Sequence, residues 1–153
     1  MELMDHAQTM SLTGESFGIP LRALDADQRR QVLYFGYFPN LLISPHPDYV
    51  MTHRLRPLAP DRTAVECEWL FSREAVETEG FDPSYAIEFW DLTNGQDWHA
   101  CEGVQKGAAS RGYRQGPLSP DESTSGKFVA TVARGYLQGR TTQTPSPSTE
   151  AVG

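Results

Sequence analysis

The segment Thr93 to Gly107, TNGQDWHACEGVQKG, places a carboxylate (Asp97), an indole (Trp98), an imidazole (His99) and a thiol (Cys101) within five positions. Carboxylates, imidazoles and thiols are the groups that ligate metals and move protons. Spacing decides which of them can cooperate. The stretch continues a helical pattern in which Ala86, Ile87, Trp90, Asn94, Asp97, Cys101, Val104 and Ala108 share one side. His99 is two positions from Asp97 and points to nearly the opposite face, which speaks against a shared metal ion. A carboxylate on the covered side of a helix must be paired, protonated or metal-bound, because a bare charge out of water is costly. The plainer alternative is a solvated Asp97 capping a helix that restarts after Gly95. Spacing alone leaves both readings open.

Other candidates are sparse. The chain has four histidines: His6, His46, His53 and His99. His53 falls on the apolar side of a strand pattern and reads as a core or cavity histidine rather than a ligand. His46, between two prolines, reads as a solvated turn residue, and His6 lies in an irregular lead-in. Cys67 and Cys101 begin no C-x-x-C, C-x-H or C-x-x-H string, which argues against structural zinc and a disulfide framework. Both are expected reduced and buried, in keeping with a cytoplasmic chain. A net charge of −7 without a basic cluster argues against nucleic acid or an anionic membrane as partner. Arg54, Arg56 and Arg62 are too few to alter that. The start lacks a secretory pattern, and no apolar stretch reaches membrane-spanning length.

The length of 153 residues suggests one domain. Residues 1–30 read as a loop-rich lead-in with a short helix or turn near Ala26–Arg30, where nothing caps a core. Aromatic and β-branched residues predict strands over Val32–Phe38 and Asn40–Ser44. SPHPD is a turn by composition. Tyr49–Leu58 alternates, with Tyr49, Met51, His53 and Leu55 inward and Val50, Thr52, Arg54 and Arg56 outward. After the Pro60-Asp61 turn, Val65, Cys67, Trp69 and Phe71 take one face of the next strand; Ala64, Glu66 and Glu68 take the other. This predicts an antiparallel meander whose apolar face needs a cover. A short helix over Ser72–Glu79 and a long helix after Pro83 supply it, with a kink or break expected at Asn94-Gly95, where Gly costs roughly 1 kcal/mol relative to Ala. A loop over Arg111–Glu122 precedes a last helix, Glu122–Gln138, with Phe128, Val132, Tyr136 and Leu137 on its apolar side. Residues 31–140 thus form the α+β body. Residues 141–153, polar and Pro-bearing, are expected to be disordered.

The run YFGYFPNLLISPHPDYVMTHRLRPLAPDRTAVECEWLF followed by FWDLTNGQDWHACEGVQKGAASRGYRQGPLSPDE resembles the C-terminal part of the catalytic domain of Rieske-type non-haem iron oxygenase α subunits, the aromatic-ring-hydroxylating oxygenases and their relatives that act on quaternary amines. The resemblance covers roughly Leu33 to Leu137. It implies a helix-grip (START-like) fold, an antiparallel sheet packed on a long C-terminal helix, here incomplete on its N-terminal side. It implies O2-dependent hydroxylation, dihydroxylation or oxidative demethylation at a mononuclear Fe(II) held by two His and one Asp. Asp97 matches the family's Asp, with Asp91 a second candidate. Asn94, Gln105, Trp90 and His53 would surround the metal or line the pocket. Trp90, Cys101, Val104 and Gln105 would set the helix against the sheet, with Glu102 exposed. Trp69, Phe35, Phe71 and Met51 read as core, some of them as pocket wall.

The family's paired upstream His, the acid that carries electrons between subunits and the [2Fe–2S] cluster motif do not occur in these residues. One carboxylate alone binds Fe(II) weakly. The chain is therefore expected to be inactive alone. It would need the N-terminal Rieske part or a separate polypeptide supplying it, a reductase or ferredoxin, and assembly as a homotrimer. A metal-free ligand-binding domain of the same fold, or one half of a split oxygenase, remain the alternatives. An unpaired sheet edge would make the isolated chain poorly soluble.

Overall fold

A computed structural model describes residues 1–141, so the expected disorder of residues 142–153 lies outside the described residues. The chain divides into one unit over Met1–Tyr113 and a second from Arg114 onward. The first is α+β. Its sheet has four antiparallel strands in the order of the sequence: β1 (Phe35–Tyr37), β2 (Leu41–Pro45), β3 (Tyr49–Ala59) and β4 (Arg62–Phe71). Two helices follow, α1 (Arg73–Val76) and α2 (Ser84–Ala108). The second unit holds a 3₁₀ turn, Pro120–Glu122, and α3, Ser123–Thr141. No helix among the described residues is long and apolar enough to cross a membrane.

The meander follows from turn chemistry and alternation. Ala59 pairs with Arg62 across Pro60-Asp61, and the ladder then runs to Tyr49 opposite Phe71. The register shifts between Pro57 and Ala59, where Pro57 has no N–H to give to the ladder. In β4 the expected face is the covered one: Val65, Cys67, Trp69 and Phe71 are half-buried, while Glu66 and Glu68 are exposed. In β3 one outward residue departs from alternation. Thr52 is buried, its hydroxyl donating to Glu68 Oε2 across the pair at 3.4 Å. β1 is shorter than the predicted Val32–Phe38. Val32 is instead wholly buried against the lead-in, its N–H donating to Met1 O.

The core sits where β3 meets α2. Tyr49 and Met51 pack on Ala86 and Trp90, with Cys67, Trp69 and Phe71 from β4 and Met10 from the lead-in around them. Ala86, Trp90 and Asn94 are the buried residues of α2, spaced at four, one per turn. The helix is held at its start by Asp82, whose Oδ1 accepts from the Ser84 N–H. The expected break at Asn94-Gly95 does not occur; α2 runs uninterrupted from Ser84 to Ala108. Propensity yields because a single exposed Gly costs little against the bonds of six further turns.

The lead-in departs most from expectation, because it does cap the core. Leu3, Thr9 and Ser11 are buried. Tyr49 OH donates to Met10 O and accepts from Trp90 Nε1, each at 2.9 Å, so one hydroxyl ties lead-in, β3 and α2. Beside it Asp48 is 1% exposed. It accepts from Thr9 Oγ1 at 2.5 Å, Ser16 Oγ at 2.5 Å and Tyr85 OH at 2.7 Å. A buried carboxylate needs such donors, and the lead-in brings two of them. Gly18 keeps the approach close: a Cβ there would stand 2.6 Å from Tyr85 OH.

Asp48→Ala strips the buried Thr9 hydroxyl and the half-buried Ser16 and Tyr85 hydroxyls of their acceptor and is expected to cost roughly 3 kcal/mol, against about 1 kcal/mol for Tyr85→Phe. Urea unfolding of the two variants measures both, and equal small losses would show the cluster to be incidental.

Candidate functional site

Asp97 lies on α2 one turn beyond Asn94. Asn94 is buried and fixed from two strands: its Oδ1 meets His53 Nε2 of β3 at 3.1 Å, and its Nδ2 approaches Cys67 Sγ of β4 at 3.7 Å. A carbonyl oxygen only accepts, so His53 Nε2 carries the proton in this pair. The His53 ring also stands edge-on to Trp90, with centroids 5.8 Å apart. His53 is therefore a satisfied histidine between strand and helix, and Trp90 is a core residue with its N–H used by Tyr49. Burial raises the Cys67 thiol above its ordinary value, which keeps it protonated.

Beyond Asn94 the helix leaves the sheet. Asp97 is exposed, as are His99, Cys101, Glu102, Val104 and Gln105. Cys101, Val104 and Gln105 therefore do not set the helix on the sheet, and Cys101 is not buried. Among the described residues no strand lies opposite them; the sheet contact of α2 ends with Asn94. Asp91 is exposed as well. Of the residues singled out, Asn94, His53 and Trp90 come together, and Asp97 stands one turn outside them.

Among the described residues no three His, Cys, Asp or Glu side chains are grouped so as to hold a metal ion. These residues by themselves do not fit a mononuclear iron, which needs several ligands in fixed geometry. Asp97 is a free-standing carboxylate at the foot of a well-anchored helix turn.

Two features escape a reading by spacing. Asp48 looks like a turn residue in SPHPD, yet it is the buried acceptor of three hydroxyls. His46 is not solvated: it is 2% exposed, stacked on Tyr49 with centroids 4.1 Å apart, and edge-on to Trp90. Neither ring nitrogen has a hydrogen-bond partner among the described residues. Burial pushes its value from 6.5 to about 3, so it is neutral. Its backbone N–H closes the turn by donating to Tyr49 O at 2.8 Å. The turn bends the ring inward because Tyr49 and Trp90 offer it an aromatic slot, a tertiary effect that turn composition does not carry.

Comparison with known proteins gives a family and a set of relatives. The sequence profile of the ring hydroxylating α subunit (catalytic domain) family matches residues 1–138. The glycine betaine monooxygenase oxygenase subunit of Chromohalobacter salexigens is 38% identical over 72 residues, covering 47% of this chain and 16% of that protein. The subunit of the same name from Pseudomonas aeruginosa is 35% identical over 119 residues, covering 78% of this chain and 28% of that protein. The chain thus spans less than a third of the length of these curated relatives.

The His46 environment sets a pH dependence. The folded value lies below the unfolded one, so the unfolded chain takes up the proton first. The stability tied to neutral His46 is complete above about pH 6.5 and is lost as pH falls toward 3. The slope is at most about 1.4 kcal/mol per pH unit. Denaturation series between pH 7 and 4.5 are expected to show that slope shrinking by roughly 1 kcal/mol per unit in His46→Phe; an unchanged slope contradicts the burial.

Proposed function

This chain belongs to the ring-hydroxylating α-subunit catalytic-domain family, and from that membership we propose that it forms the C-terminal part of the catalytic domain of a Rieske-type non-haem iron oxygenase. Its own contribution is Asp97, one ligand of an iron site whose two His come from residues outside this chain's described part. The observation that supports the assignment is the ordered α2 stretch. Asn94 is pinned between His53 and Cys67, and Asp97 follows one turn later with its carboxylate free. A ligand held by a rigid element, with no internal partner, suits a site completed from elsewhere.

The activity proposed for the assembled protein is O2-dependent hydroxylation or oxidative demethylation of a small organic substrate. The curated relatives are glycine betaine monooxygenase subunits, which favours a quaternary amine. Electrons would arrive through a [2Fe–2S] cluster and a reductase or ferredoxin, in a cytoplasmic homotrimer. Residues 1–141 alone are proposed to be inactive, since they offer one carboxylate where iron needs three ligands.

Asp97 and Asp91 are both exposed carboxylates on α2, and iron content separates them. In the protein purified at its native length, Asp97→Asn is expected to lower bound iron per chain at least about tenfold and to abolish turnover. Asp91→Asn is expected to keep its iron. The reverse pattern transfers the role to Asp91, and iron retained in both variants removes α2 from the site.

A further inference from the structure

The turn from Pro45 to Asp48 is held at three of its four residues by the segment that precedes β1. Leu33 N–H donates to Pro45 O at 3.1 Å, and Leu21 N–H donates to Pro47 O at 2.8 Å. The Thr9 and Ser16 hydroxyls donate to the Asp48 carboxylate. The fourth residue, His46, donates its N–H to Tyr49 O and turns its ring onto Tyr49, edge-on to Trp90. The bonds that fasten the segment thus depend on a turn that keeps an imidazole out of water.

That imidazole cannot carry a charge where it sits. It is buried, and neither ring nitrogen has a hydrogen-bond partner among the described residues. A cation in the interior needs a paired carboxylate or several acceptors. Asp48 is two residues away, and its oxygens are taken up by Thr9, Ser16 and Tyr85. The Tyr49 phenol of β3 and the Tyr85 phenol of α2 are raised by burial and stay neutral. On the outer side Asp5, His6, Arg29 and Arg30 share a groove with Pro47 and Asp48. Arg30 is paired there with Asp5, and His6 is exposed. A proton therefore reaches His46 when the ring leaves its slot, and the ring leaves with its turn.

The remainder of the first unit does not depend on that turn. β3 and β4 pair along their whole length, Met51 packs with Ala86 and Trp90, and Asn94 is fixed by His53 and Cys67. We propose that the Pro45–Asp48 turn is an acid-released clasp: when His46 takes up a proton, the turn lets go of the segment before β1, while β3, β4 and α2 stay packed. The direction follows from linkage. Burial holds the closed value at about 3 against 6.5 in the open form, so closure is complete above about pH 6.5 and weakens as pH falls. The proposal does not rest on the oxygenase reading.

Hydrogen–deuterium exchange of the native-length protein, read by mass spectrometry and corrected for the intrinsic pH dependence of exchange, tests it. A peptide over residues 14–24, which carries Leu21, reports on the clasped segment, and one over residues 84–96 reports on α2. Between pH 7 and pH 5 protection of the first is expected to fall at least about fivefold, with a ceiling of about 25-fold for a histidine fully freed on opening. Protection of the α2 peptide is expected to hold. The fall is expected to vanish in His46→Phe and in His46→Leu, either of which suffices if the other does not fold, and to persist in His6→Gln. The proposal is overturned by constant protection in the parent, by an equal fall in both peptides, by a fall that survives removal of His46, or by its loss in His6→Gln.

Discussion

Asp48 and Tyr49, adjacent at the start of β3, carry the interaction on which the first unit depends. The Asp48 carboxylate is buried and takes hydroxyl protons from Thr9, Ser16 and Tyr85. The Tyr49 hydroxyl takes a proton from Trp90 and gives its own to Met10 O. Between them, two neighbouring side chains bind the lead-in, the sheet and the helix into one core. Neither could be buried without those partners, because an unmatched carboxylate or phenol hydroxyl in the interior costs more than its packing returns. The small apolar core of Tyr49, Met51, Ala86 and Trp90 forms inside this polar frame.

The frame also explains where α2 lies. Trp90 is fixed by Tyr49, and one turn later Asn94 is fixed by His53 and Cys67. Both contacts are on the side of the helix facing β3 and β4. Asp97 comes at the next turn, where no strand lies opposite among the described residues. The helix is thus anchored up to Asn94, one turn before its most chemically suggestive side chain. That is a sound way to present a ligand to groups from elsewhere, and a poor way to build a metal site from these residues alone.

Much of this was readable from residue order. Alternation in Tyr49–Leu58 and Ala64–Phe71, with Pro60-Asp61 between them, places two strands and their turn. The 90, 94, 97 spacing places Trp90, Asn94 and Asp97 on one side of a helix. The reading failed where tertiary partners override local pattern. Alternation puts Thr52 outward, but Glu68 across the pair gives its hydroxyl an acceptor. Turn composition makes His46 solvated, but the slot between Tyr49 and Trp90 buries it. Helical spacing puts Cys101 and Val104 on the packed side, and the family resemblance adds Gln105, but neither says how far a sheet extends beneath a helix. The polar lead-in showed no period at all, because its role is to bring hydroxyls to Asp48 rather than to bury a face.

The central claim is that Asp97 completes an iron site whose remaining ligands lie outside the described residues. The most direct measurement is the intact mass of the native protein, together with any copurifying chain, recovered from its own cells through a peptide of α2 and read by mass spectrometry. The account predicts a species several hundred residues long, or a stable partner chain, that carries the paired His and the Cys/His strings of a [2Fe–2S] cluster. A lone species of 153 residues with no such partner would contradict it and leave Asp97 an ordinary solvated carboxylate.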